Sequence, residues 1–367
     1  MKNSISFVRP VITKAAAALT LLAATLASAQ DTRSIFPLLP PSISTVPSNG
    51  DVNPYGVAFV PRTVPDDGIL RPGDILVSNF NNSANLQGLG TTILRVDKSG
   101  KTSTFFTSPA QQSGLTAALG ILSNGLVLIG NLPTADGTAG TAQPGRLSFL
   151  DRRGNFLGAL NTTDVVNGPW GMAVHDTGNG YSGTAQIFLS NVLSGVISRI
   201  DVYYSPAEIK VSAFVLASGF NHRTDPAALV LGPSGLAFDP RHDTLYVASS
   251  TDNAIYQIHD ATTTKATVSA TLFIQDLTHL HGPLDLILLQ NGHLLVANSD
   301  GSNADPNQPS EIVEYNREGE FLAQMPVDPN NGGAFGIAVK AIGEDAFRLA
   351  AVDDNTNTLN IWTAVIP

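Results

Sequence analysis

Chemistry by side chains needs groups that meet, and few stretches of this sequence place such groups together. "THLHGPLD" sets His279 and His281 two residues apart, so an extended chain turns both to one side. Asp285 follows four residues after His281. An imidazole in this setting can act as a general base or a metal ligand. No third ligand is identifiable from spacing, so a zinc site is not indicated. "NHRTDP" offers His222, Arg223 and Asp225, which serve either as a charged rim or as a local ion pair. "NSDGSNADPNQPSE" carries Asp300, Asn303 and Asp305, oxygen donors of loosely calcium-like spacing that lack the EF-hand pattern. "VDDNTNT", which contains Asp353, invites the same reading. Each stretch also has a plainer reading as a hydrogen-bonded turn or a solvated loop. A Gly-x-Ser-x-Gly elbow, a phosphate loop and a His-Glu-x-x-His are all missing.

The elements that would position these groups belong to a repeat. "NPYGVAF" begins at Asn53, "GPWGMAV" at Gly168, "GPSGLAF" at Gly232, "GPLDLIL" at Gly282 and "GAFGIAV" at Gly333. A worn copy, "LTAALGIL", begins at Leu115, and the "LSNGLVLIGN" after it matches the "LQNGHLLVAN" of the fifth copy. The starts lie 62, 53, 64, 50 and 51 residues apart. Each start is followed by a second strand with a polar end, such as "QIFLSNV", then a third, such as "GVISRID", and in five copies a fourth. Four strands per unit at roughly 40–50 residues is the period of a propeller blade. The expected fold is therefore all-β: a six-bladed β-propeller of four-stranded blades. The sixth unit lacks a fourth strand, so Ile35 to Val46 is expected to supply it and close the ring.

This geometry says which residues meet. The loops into the first strands and the loops after the second strands open on one face. Tyr55, Trp170, Ser234, Leu284 and Phe335 should ring that mouth, with Asn79, Asn131, Asn191, Ser249, Asn298 and Asp353 beside them, one per blade. Such short polar side chains either cap their own turns or form an inward ring of oxygens. A ring of that kind would bind a hydroxylated ligand or, weakly because most members are neutral amides, Ca²⁺.

The first 29 residues read as a secretory signal peptide. Lys2, Arg9 and Lys14 precede an apolar stretch from Ala15 to Leu26, and Ala27-Ser28-Ala29 forms a small-residue cleavage signal. The division expected is a signal peptide over 1–29, an N-terminal segment with the closing strand over 30–52, and the propeller over 53–367. Cleavage leaves 17 basic against 30 acidic residues, a net charge of −13 that repels nucleic acid and anionic membranes. No later apolar run reaches the ~20 residues of a membrane span. Without cysteine there are no disulfides, so stability rests on the core. A monomeric protein exported to the periplasm or the medium is expected.

The Gly-Pro-x-Gly start and the "LYVASSTDNAIYQI" body of the fourth copy resemble NHL-repeat propellers, within the wider set of gluconolactonase-like and streptogramin-lyase-like proteins. The resemblance runs from about Asn53 to Ala364. It implies a scaffold that binds a small molecule or a protein at the mouth. Its alternative is a metal-assisted hydrolase or lyase, with His222, Asp225, His281 and Asp285 as catalytic candidates and Asp300, Asp305 and Asp353 as metal candidates. The gluconolactonase-type metal site calls for an acid near the first blade's start, where Asp51 is the one available.

Overall fold

The computed structural model describes residues 42–298, 311–330 and 332–365. The expected signal peptide, residues 30–41, and Asp300 and Asp305 lie outside the described residues. The six repeats are six antiparallel four-stranded sheets. Their first strands are Val52–Phe59, Leu115–Ile121, Pro169–Asp176, Pro233–Asp239, Pro283–Leu288 and Ala334–Ala341. Each first strand packs against that of the next blade, and the sixth returns to the first. The chain is a six-bladed β-propeller. Among the described residues the helical pieces are two single 3-10 turns, Ala110–Gln112 and Ala139–Thr141.

A lone blade would leave both faces of its sheet wet, and the ring solves this with an apolar cluster in every gap between blades. Between blades 1 and 2, for example, Leu76, Ile93, Leu119, Val127 and Ile129 are buried together. Closure comes from the expected segment. Ser42–Ser44 pairs antiparallel with the last strand, Thr358–Val365, matching Ser42 with Asn360 and Ser44 with Thr358. The Ser42 hydroxyl donates to Asn360 Oδ1 at 2.9 Å, and Thr45 N donates to Asn357 O at 2.9 Å.

All six first strands break register just after they begin, for instance between Pro54 and Val57 and between Pro233 and Leu236. The break frees backbone groups at the axis, and hydroxyls from blades 1 to 4 take them up. Ser78 accepts from Gly56 N at 2.9 Å and donates to Thr116 O of blade 2 at 2.9 Å. Thr116 donates to Pro169 O of blade 3 at 2.7 Å. Ser190 donates to Ser234 O of blade 4, and Ser234 to Pro283 O of blade 5, both at 2.6 Å. Where the second strand supplies the hydroxyl (Ser78, Ser190), the first strand has glycine (Gly56, Gly171). Where the first strand supplies it (Thr116, Ser234), the second strand has Gly130 or Ala248. The pairing leaves room for one hydroxyl per blade.

One element is absent from the sequence reading. Between blades 3 and 4 the chain forms a hairpin, Arg223–Asp225 against Leu229–Leu231, with Leu229 at φ +63°.

Candidate functional site

We call the face where first strands begin the upper face and the opposite one the lower. At the upper face each second strand ends opposite the start of its first strand: Asn79 pairs with Pro54, Asn131 with Leu115, Asn191 with Pro169, Ser249 with Pro233, Asn298 with Pro283 and Asp353 with Ala334. These side chains are buried and bonded to the backbone or turns around them. Asn79 Nδ2 donates to Thr45 O at 3.1 Å and Asn131 Nδ2 to Ser113 O at 2.9 Å. Asn191 Oδ1 accepts from Asn167 N at 2.8 Å. Asn298 accepts from His281 N at 3.2 Å and donates to His279 O at 2.6 Å. Ser249 donates to Asp252 at 2.8 Å, and Asp353 accepts the Thr356 hydroxyl at 2.5 Å. Each ties its blade's turn or the chain leading into a first strand.

The aromatic positions converge. Tyr55 lies 4.6 Å from Phe335, 4.8 Å from Phe80 and 5.4 Å from Trp170 between ring centres. With Leu284, Leu132, Val192 and the hairpin's Leu229 and Val230 they form one buried cluster, in which Trp170 is 2% exposed. The hairpin also accepts at Ala227 O a hydrogen bond from Gln87 of blade 1. The upper end of the bore is thus filled by a plug, and Tyr55, Trp170 and Phe335 are its substance. Burial and the nearby Asp354 raise the Tyr55 phenol well above its ordinary range.

The four catalytic candidates bond locally or to a neighbouring strand. His222 Nδ1 meets Phe220 O at 3.1 Å. Asp225 pairs with Arg223 at 2.6 Å. Burial opposes its ionisation, but the bonds from Ala228 N, Arg223 and Ala227 N outweigh it and hold the carboxyl below the usual range. His281 Nε2 meets Thr278 O at 3.0 Å. His279 is clamped by Asp276 at 2.7 Å and stacks on Phe321 at 3.7 Å. Asp285 stands at the level where blades 1, 3, 4 and 6 have glycine; a Cβ on Gly235 would collide with its backbone. Its carboxylate accepts Leu286 N and Ile337 N, both at 2.9 Å. It keeps some accessible surface, yet its depth in the ring desolvates it and pushes its pKa up to about 7. Burial, then the charges of Asp353 and Asp328, bring Asp354 to about 7 as well. Burial, then Asp328, also raises Asp353. Among the described residues no three His, Asp or Glu side chains are grouped to hold a metal ion.

The lower face differs. A cavity of about 640 Å³ opens there, walled by the first strands of all six blades: Val57, Leu119, Met172, Leu236, Leu286 and Ile337 supply one residue each. Its polar groups lie at one side. Asp176 accepts Ser123 N at 2.6 Å, the Tyr204 hydroxyl at 2.7 Å and Gly178 N at 2.8 Å, and the exposed Arg62 also belongs to the lining. The sequence reading placed the mouth at the opposite end. The signal for this cavity was the apolar second half of each first strand.

No family model and no curated protein matches the sequence. Solved structures do resemble it. Regucalcin, a calcium-binding protein from Agrobacterium tumefaciens, aligns over 89% of this chain and 95% of its own with TM-score 0.54 and 17% identity. A gluconolactonase from Xanthomonas campestris covers 91% and 99%, with TM-score 0.51 and 13% identity. A β-propeller domain from Myceliophteria thermophila covers 88% and 99%, also with TM-score 0.51 and 13% identity. Likeness at these identities establishes the fold alone.

Proposed function

We propose that the protein is an exported binding scaffold that holds a small, largely apolar molecule in the lower-face cavity. The observation that carries this reading is the contrast between the ends of the bore. The upper mouth is filled by packed aromatic rings, whereas the lower end is a concave space of about 640 Å³ lined mostly by apolar residues, within the size range of small-molecule sites. Aliphatic walls supply affinity through water-excluding contact, and Arg62 or Asp176, both in the lining, would orient a polar end of the ligand. Export rests on the basic, apolar and small-residue order of the first 29 residues. Neutral 1-aminoanthracene is a suitable probe. It should bind at a single saturable site in the wild type, and Leu288→Lys, in the wall, should abolish that binding while Lys101→Gln leaves it intact. Binding that ignores Leu288→Lys, or no saturable binding, would remove the reading. Cation-dependent hydrolysis of a lactone would replace it with the hydrolase alternative.

A further inference from the structure

A second concave site lies away from the axis, in the cleft between blades 4 and 5 on the lower side, and it does not depend on the axial cavity. Its volume is about 500 Å³. Blade 4 contributes Arg241, His242, Tyr246, Gln257 and His259, and blade 5 contributes Arg317. This is a concentration of cationic and donor groups in a chain whose formal net charge is −10.

The guanidiniums are fixed by backbone. Arg241 Nη1 donates to Gln290 O at 3.0 Å and its Nε lies 3.4 Å from Asp239. Arg317 Nη2 donates to Asn291 O at 2.7 Å, and no carboxylate pairs with it among the described residues. These bonds leave Nη2 of Arg241 and Nε and Nη1 of Arg317 with donor capacity to spend on a ligand. The single carboxylate in the cleft, Asp239, is 3% exposed and already engaged by His242 Nδ1 at 2.7 Å and by Arg241. Asp243, in the same turn, is occupied by Thr262 N at 2.8 Å. Tyr246 and Gln257 face each other across paired strands and add neutral hydrogen-bonding groups. A guanidinium held by the backbone presents its remaining N–H groups in fixed directions, each able to donate a charge-assisted hydrogen bond to a carboxylate or phosphate oxygen.

We infer that this cleft is a binding site for an oxyanion group, a carboxylate or phosphate carried by a polar ligand, held between Arg241 and Arg317. The test is calorimetric titration of the full mature chain with two probes, inorganic phosphate and glucuronate, at low ionic strength. At least one probe should bind saturably, and which one does so assigns the anion. Arg241→Gln/Arg317→Gln should weaken that binding by roughly tenfold or more, the loss of two charge-assisted contacts, whereas Lys101→Gln should leave it unchanged. Should the double variant fail to fold, Arg317→Lys, which keeps the charge and loses the planar set of donors, should still weaken binding measurably. Neither probe binding to the wild type, or equal binding by wild type and Arg variants, overturns the inference.

Discussion

The two ends of the axial bore are made from the same six strands and finish differently. At the upper end the first strands approach so closely that glycine is required in blades 1, 3, 4 and 6. A Cβ on Gly171 would strike Ser234 O, and one on Gly336 would strike Tyr55 O. Strands that close bring Tyr55, Trp170, Leu284 and Phe335 into one another's reach, and the rings exclude water from the mouth. At the lower end the same strands carry Val, Leu, Ile, Met and Phe side chains around an open space. The comparison teaches that convergence of loops does not decide where a propeller has room for a ligand. The spacing of its inner strands does.

The largest effect should come from emptying the plug. Trp170 is 2% exposed and packs edge-on against both Tyr55 and Phe80. Trp170→Ala should cost about 3–5 kcal/mol, the range for buried Trp or Phe truncation, and denaturant unfolding measures it. A loss under about 1 kcal/mol, typical of exposed substitutions, would mean that the upper mouth is not a structural core.

A smaller effect separates the two ends by pH. Asp285 and Asp354, at or near the plug, have folded pKa values raised to about 7 by burial, and Asp353 is raised too. In the unfolded chain these carboxyls ionise near 3.8. The folded state therefore holds more protons between about pH 4 and 7, and the stability these groups contribute is full below about pH 4 and is lost as pH rises through about 7. Asp239 and Asp276, whose carboxyls are held below 3.8, act in the opposite sense only at the acid end. Thermal melts should show a higher Tm at pH 5 than at pH 8, and Asp285→Asn should raise Tm at pH 8 more than at pH 5. A flat profile in the wild type would contradict the burial of these groups.

The blades were legible because each repeats a turn, two apolar strands and a polar strand end in phase. Even the worn copy at Leu115 forms its strand where the phase predicts. Ring closure was legible from a missing fourth strand, and Ser42–Ser44 fills it. The site was legible only in part. Strand direction correctly puts Asn79 and Trp170 at one end, but sequence does not say whether an amide faces the bore or the backbone beside it. That choice is set by backbone groups in the chain leading into each first strand, such as Thr45 O, which Asn79 satisfies. Nor does periodicity reveal the hairpin at Arg223–Leu231, whose Leu229 and Val230 complete the plug. Arg241 and Arg317 come from different blades, 76 residues apart in number, and nothing local joins them.

A ligand held as proposed enters from below and leaves the upper plug undisturbed. The chain carries its own reporters. Met172 lines the lower cavity, Met325 lies in the core between blades 5 and 6, and Trp170 is in the plug. During titration with 1-aminoanthracene, methyl and indole NMR signals should show the Met172 methyl shifting saturably, with the Met325 methyl and the Trp170 indole N–H unmoved. Saturable movement of Trp170 while Met172 stays still would place binding at the upper mouth and contradict the account.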